Sequence, residues 1–221
     1  MSRNACFMCF VVLLLVCPSH VSGKNEEGEG KRPLDLPAPG FGASEGDEDI
    51  PETILFYGSQ YEGDGFFWCL DRSCSMVGEQ IETLKTEVNG AVSSLSRSAD
   101  IGIVAFSTNV LPWRILPSRA TPVNKSAAQL WVNALSAQGG TIIAPAGVQT
   151  LQISQLSSKR LKTVIVVGDG RPADEDEALV NITLANYETI PINTILIQDT
   201  QGQVFMQSLA LTNNGSYRFI P

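Results

Sequence analysis

Three short runs of this chain are apolar at nearly every position: residues 66–70 (FFWCL), 101–106 (IGIVAF) and 163–167 (TVIVV). They are rich in aromatic and β-branched side chains and too short to be core helices, so they read as strands. A strand with one face in water alternates apolar and polar residues, whereas a strand covered on both faces does not. Residues 192–197 and 217–220 predict two further strands, and 53–57 a short outlying one before a turn at 63–65. Between the strands lie segments with helical spacing. Ile81, Leu84 and Val88 fall on one face of 79–88, and Ala128, Leu130, Trp131 and Leu135 mark 125–135. The helix 145–156 has Pro145 in its first turn, where a missing N–H costs nothing, and 174–186 begins with a cluster of acids that suits the helix dipole. A short helix at 203–211 completes the series. This alternation predicts an α/β fold with a mostly parallel central sheet and helices on both faces. Residues 113–116, bracketed by Pro112 and Pro117, predict one short antiparallel edge strand.

The first fifty residues have a different texture. Residues 7–17 are almost wholly apolar after Arg3, too short to span a bilayer and suited to the core of a secretory leader ending near residue 23. A rival reading takes Leu14-Leu15-Val16-Cys17 as a lipoprotein box with Cys17 as a lipid anchor; bulky Val16 and the following Pro18 speak against it. Residues 24–51 alternate acids with Gly and Pro and carry few aliphatics, the composition of a solvated linker. The folded domain is therefore expected at 52–221, with no transmembrane span in the mature chain.

Loss of the leader removes the only histidine, His20, and three of five cysteines, leaving Cys69 and Cys74. A mature chain without histidine has no Ser-His-Asp or Cys-His catalysis and no ordinary zinc site. Cys69 and Cys74 are expected to be free and mostly buried, because a bond between them would fold a strand end back on its own loop. With 23 Asp and Glu against 15 Lys and Arg the net charge is −8. That balance excludes a nucleic-acid partner, whose capture depends on Lys and Arg neutralising phosphates.

Three loops carry oxygen donors. The first, Asp71-Arg72-Ser73-Cys74-Ser75, follows the strand at 66–70 and offers one carboxylate and two hydroxyls. Such hard oxygens suit Mg²⁺, Mn²⁺ or Ca²⁺. The second is Gln138-Gly139-Gly140-Thr141, just before the helix at 145–156. The third, Gly168-Asp169-Gly170-Arg171-Pro172, follows the strand at 163–167. Loops one and three both leave parallel strands, so they open on the same sheet edge, where open α/β sheets bind ligands. Singly, each Ser or Thr has a commoner role as a cap or turn residue, and Asp169 as a helix cap. Together Asp71, Ser73, Ser75, Thr141 and Asp169 form the candidate shell of a cation. Arg171 at the rim reads equally as a steering group for a carboxylate or as a solvated arginine.

These motifs resemble the von Willebrand factor A domain over roughly residues 65–221. Asp71-x-Ser73-x-Ser75 followed by Met76 matches the family's signature loop, Gly139-Gly140-Thr141 the loop of its threonine, and Val166-Val167-Gly168-Asp169-Gly170 the strand and loop of its second aspartate. The resemblance implies a Rossmann-like fold and a complete metal-ion-dependent adhesion site. There the serines, the threonine and one or both aspartates reach Mg²⁺ or Mn²⁺ directly or through water, and a partner's acidic side chain takes an open position. Cys74 stands where glycine is usual and Gly168 where threonine is common; neither is a ligand. The family's final helix, whose sliding couples metal geometry to affinity, has no counterpart after 217–220.

The function expected from this reading is non-enzymatic. It is a secreted, periplasmic or surface-associated, metal-dependent protein-binding module that captures an Asp or Glu of a partner through Mg²⁺, with Mn²⁺ or Ca²⁺ as alternatives. A structural domain with a vestigial metal site is the second reading. A phosphatase-type hydrolase is a third, opposed by Ser73 standing where such enzymes use an acid. Trp113 and Trp131 are expected in the core. Asn124, Asn181 and Asn214 head glycosylation sequons, which matter only in a eukaryotic source.

Overall fold

A computed structural model describes residues 51–221; the leader expected at 1–23 and the acidic linker at 24–51 lie, but for residue 51, outside the described residues. The elements run β1 (Glu52–Phe56), β2 (Ser59–Gly63), β3 (Gly65–Asp71), α1 (Glu79–Ser94), β4 (Asp100–Phe106), β5 (Val110–Pro112), β6 (Ser118–Arg119), α2 (Pro122–Asn133), α3 (Ala144–Gln155), β7 (Lys162–Gly168), α4 (Glu175–Ala185), β8 (Ile192–Ile197), α5 (Gln203–Thr212) and β9 (Tyr217–Ile220).

The main sheet has the order β5-β4-β3-β7-β8-β9. The five strands β4, β3, β7, β8 and β9 are parallel, while β5 and β6 pair antiparallel with β4 at one edge. Every residue of β3, β4, β7 and β8 is buried. Alternate side chains feed two cores, as the pleat requires. Phe66, Trp68 and Leu70 face one core with Ile101, Ile103, Ile165 and Val167, covered by α1 and α2. Phe67 and Cys69 face the other with Val104, Phe106, Val164 and Val166, covered by α3, α4 and α5. The fold is thus the expected Rossmann-like α/β architecture, with helices on both faces of a mostly parallel sheet. Among the described residues no helix is long and apolar enough to cross a membrane.

Several local expectations change. Residues 113–116 form no strand; antiparallel pairing falls on either side of them, in β5 and β6. Pro112 and Pro117 withhold ladder N–H groups, and Ile115 turns out to solvent at 70% exposure. Trp113 packs half-buried against the first core, with the Arg114 guanidinium 4.3 Å from its ring centroid. The helix at 125–135 starts earlier, at Pro122, because Thr121 caps it by accepting the Asn124 N–H at 3.3 Å. Its buried face is Ala128 and Val132; Leu130 is 74% exposed and Trp131 half-buried. The helix at 79–88 runs on to Ser94, burying Ala91 and Val92.

The outlying strand at 53–57 has a partner that the pattern missed. β1 and β2 form a separate two-stranded antiparallel hairpin. Tyr57 and Gly58 make its two-residue turn with φ of 48° and 69°, the left-handed pair that hairpins of this length use. The polar sequence of β2 hid it, yet Ile54, Phe56, Tyr57 and Tyr61 join the first core. Glu87 on α1 accepts the Tyr57 N–H at 2.6 Å, and Thr163 donates to the Glu62 carbonyl at 2.6 Å.

Candidate functional site

The strand order places the site. From β3 the chain passes to β4 on one side and later to β7 on the other. The carboxyl ends of β3 and β7 therefore flank a point where strand connection reverses, the crevice in which open α/β sheets take ligands. Leu70 lies opposite Val167 in that pair, so Asp71 ends β3 beside Gly168, and Asp169 follows at once.

In the first loop Asp71 is fully buried, and its Oδ1 accepts the Ser73 N–H at 2.7 Å. A single 3-10 turn, Cys74–Met76, then brings Ser75 back over Ser73, with their Oγ atoms 2.9 Å apart. Ser75 donates to Asp169 Oδ1 at 2.8 Å. That bond uses Ser75's only proton, so Ser73 must be the donor in the serine pair. Four of the five expected residues are thus joined in one chain, from Asp71 through Ser73 and Ser75 to Asp169.

Thr141 is brought to the same edge by backbone contacts. The Cys74 N–H donates to the Gly139 carbonyl at 3.0 Å, the Ala173 N–H to the Thr141 carbonyl at 2.8 Å, and the Ile142 N–H to the Ser107 carbonyl at 3.0 Å. The second loop is therefore strapped to both of the others. Among the described residues no hydrogen bond joins the Thr141 hydroxyl to the other four side chains. Gly139 has φ 77°, and a Cβ there would lie 2.9 Å from Thr108 Oγ1, which also accepts the Gly140 N–H. Only glycine fits that turn.

Burial pushes the Asp71 carboxyl up to about 7, against the Ser73 hydrogen bonds that lower it; the Asp169 charge adds to the rise. Burial also raises Asp169, with Ser75 opposing and Asp199 reinforcing the rise. Two carboxylate oxygens, Asp71 Oδ2 and Asp169 Oδ2, are buried without any donor. Buried, unpartnered carboxylate oxygens are costly unless positive charge offsets them. That cost, and the company of the Ser73 and Ser75 hydroxyls, fits a hard divalent cation. Among the described residues no three His, Cys, Asp or Glu side chains gather as an alternative metal cage.

Cys69 and Cys74 are free thiols, as expected, but only Cys69 is buried; Cys74 points to solvent from the first loop. Arg171 is exposed and its guanidinium pairs with Glu175. Gly168 has a packing reason, since a Cβ would lie 3.0 Å from Met206 Cε and 3.4 Å from Asp71 Oδ2.

Other residues of the site were missed from sequence. Arg72 is buried beside Asp71 and donates to the Ser136 carbonyl at 3.3 Å. Gln138, with its amide oxygen turned to the guanidinium, accepts from Arg72 Nη1 at 2.6 Å, and its N–H donates to the Arg72 carbonyl at 2.7 Å. Asp174 looked like part of its own helix. Instead its carboxylate accepts the Ile143 and Ala144 N–H groups at 3.0 and 2.8 Å, capping α3. Ser107 and Asp199 follow β4 and β8 closely. Reading the first polar positions after every parallel strand, rather than after two of them, would have found both.

Comparison with known proteins accords with this geometry. The profile of the von Willebrand factor type A domain matches residues 68–219. Inter-alpha-trypsin inhibitor heavy chain H3 of Mesocricetus auratus is 24% identical over 194 residues, covering 81% of this chain and 20% of that protein. The chain thus spans about a fifth of that curated relative's length. Among solved structures, a von Willebrand factor type A protein from Catenulispora acidiphila superposes with a TM-score of 0.67 at 18% identity, over 78% of this chain and 45% of its own. The pilus adhesin SpaC from Lactobacillus rhamnosus GG, in an open conformation, gives a TM-score of 0.61 at 13% identity, over 70% and 27%.

Proposed function

Because the chain belongs to the von Willebrand factor type A domain family, we propose that its loop cluster holds a divalent cation and uses it to bind a partner protein. The ion is Mg²⁺, with Mn²⁺ or Ca²⁺ as alternatives, and the partner offers an Asp or Glu side chain. The observation that carries this reading is the pair of buried, donorless oxygens on Asp71 and Asp169, linked through Ser73 and Ser75. When bound, the cation supplies an electrophile for an incoming carboxylate. The chain's own groups do the rest. Asp71 and Asp169 bring negative charge to the ion, and Ser73, Ser75 and Thr141 offer neutral oxygens. Three of the five donors are neutral oxygens, and five donors fall short of the six or more that such ions take, so a coordination position would be left for an outside carboxylate.

The site works as a binding device rather than a catalyst. Ser73 occupies the position two residues after Asp71, where a phosphatase needs an acid, and its N–H is already given to Asp71. The adhesin among the structural relatives supports protein binding as the class of activity. In keeping with that, residues 1–23 are read as a secretory leader, residues 24–51 as a spacer, and the domain as acting outside the cytoplasm.

The test is a pair of melting curves. The protein with Mg²⁺ should melt several degrees above the same protein in EDTA, and Asp71→Ala should lose that difference. An immobilised acidic protein or peptide should be retained in Mg²⁺ and released by EDTA. A melting temperature indifferent to both Mg²⁺ and EDTA would leave a structural domain with a vestigial site.

A further inference from the structure

Among the described residues, Thr141 is the one expected donor whose hydroxyl has no hydrogen bond to the other four side chains, so its place is set by other means. It sits in the connection between α2 and α3, residues 134–143, which has no regular structure. Gly139 and Gly140 come directly before it. Two glycines in succession are permissive, so the position of Thr141 depends on what grips the chain on either side of them. On the far side the grip is backbone: the Thr141 carbonyl accepts the Ala173 N–H, and the Ile142 N–H donates to Ser107. On the near side the grip comes chiefly from one residue, Arg72.

Arg72 continues the alternation of Phe66, Trp68 and Leu70, so its side chain leaves on the face covered by α1 and α2, while Asp71 faces the other way. It is only 7% exposed. Its guanidinium ends on the connection itself. Nη1 donates to the Ser136 carbonyl at 3.3 Å, and Nη1 and Nη2 donate to Gln138 Oε1 at 2.6 and 3.2 Å. The Arg72 carbonyl accepts the Gln138 N–H at 2.7 Å. Nε has no partner, and among the described residues no carboxylate forms an ion pair with Arg72. A buried cation answered only by neutral oxygens is costly, and an apolar side chain would fill the same space without that cost. Packing therefore does not explain an arginine here. What arginine adds is a planar fork that holds two acceptors at once.

We propose that Arg72 is a positioning residue for Thr141: its fork fixes Ser136 and Gln138 and, through the glycine turn, sets the Thr141 hydroxyl against the chain of side chains from Asp71 to Asp169. The proposal rests on the metal-binding reading above and adds to it a residue that never touches the ion. The sign of its effect is distinctive. Acting through charge alone, a cation near the site would repel Mg²⁺, and its removal would tighten binding. Acting through position, its removal weakens binding.

The experiment measures Mg²⁺ affinity by calorimetric titration of the full chain, of Arg72→Met, of Thr141→Ala and of the double variant. Arg72→Met should weaken Mg²⁺ binding about ten-fold, the size of the loss when a ligand's support is removed. In the Thr141→Ala background the same substitution should weaken it less than about two-fold, because residues that act through one another do not add. Gln138→Leu breaks the same contact from an exposed position and should repeat the pattern, which keeps the test open if Arg72→Met fails to fold. In EDTA, amide hydrogen exchange over residues 134–143 should quicken in Arg72→Met and in Gln138→Leu, a readout that needs no metal. Equal losses in both backgrounds, tighter Mg²⁺ binding, unchanged exchange, or a lowered urea midpoint with unchanged Mg²⁺ affinity overturns the positioning role and leaves the metal reading intact. Absence of Mg²⁺ binding by the unmodified protein overturns the metal reading, and the positioning role with it.

Discussion

The hydroxyl of Ser75 donates to the carboxylate of Asp169 at 2.8 Å, across 94 positions of sequence. This one bond joins the loop after β3 to the loop after β7. Ser75→Ala should therefore disorganise two loops at once. With Ser75 gone, Ser73 loses its acceptor and Asp169 its side-chain donor. Stability without metal should fall by about 1 kcal/mol, the net worth of a part-buried hydrogen bond. If the proposed cation site is right, Mg²⁺ affinity, read by calorimetric titration, should fall about ten-fold or more, because one proposed ligand and the alignment of another would be lost together.

Asp71 makes the metal-free protein sensitive to pH. Its folded carboxyl sits at about 7, above the ordinary Asp value, chiefly through burial. A raised pKa means that the folded state holds its proton more tightly than the unfolded state does. The contribution is thus fully present below the unfolded value and is lost as pH rises through 7. In EDTA the melting temperature should drop between pH 5 and pH 8. Mg²⁺ favours the ionised carboxylate, so its stabilising effect should grow over the same interval, with a proton released on binding. Asp71→Asn should flatten both trends relative to the unmodified protein.

Gly202 borders the third loop without being a ligand. A methyl group there would lie 2.2 Å from the Gly170 oxygen and 2.7 Å from its carbonyl carbon. Backbone cannot swing aside as a side-chain tip can, so Gly202→Ala should displace the segment that carries Asp169. The expected result is a loss of about 1–3 kcal/mol in urea unfolding, as for overpacked sites, together with weakened Mg²⁺ binding. Unchanged Mg²⁺ affinity in a destabilised variant would mean that loop three moves independently of its neighbour.

The two thiols should differ in reactivity. Cys74 is exposed on the first loop, whereas Cys69 is buried and its thiol is pushed up to about 12 by desolvation. Iodoacetamide at pH 8 should label Cys74 in the native protein and reach Cys69 only after unfolding, as peptide mass spectrometry would read. Labelling of Cys74 should also be slower with Mg²⁺ and an acidic partner bound, since Ser73 and Ser75 flank it.

Strand–helix alternation, the parallel sheet and the meeting of Asp71, Ser73, Ser75 and Asp169 at one sheet edge were legible in the chain itself, and for a local reason. Buried strands declare themselves by unbroken apolar runs, and the polar residue that ends such a run falls at a sheet edge whatever the rest of the fold does. Asp71 and Asp169 follow from that rule alone. Where the signal was weak, the reading slipped. β2 is polar because only one of its faces meets the core, and Leu130 obeys a helical spacing yet points to water. Long-range partnerships left no mark in the sequence. Asp174 capping α3 instead of its own helix, Arg72 held by Gln138 and Ser136, and Asp199 beside the third loop each depend on segments brought together by folding. Hydrophobic pattern records whether a residue is covered; it does not record what covers it, and that choice belongs to packing in three dimensions.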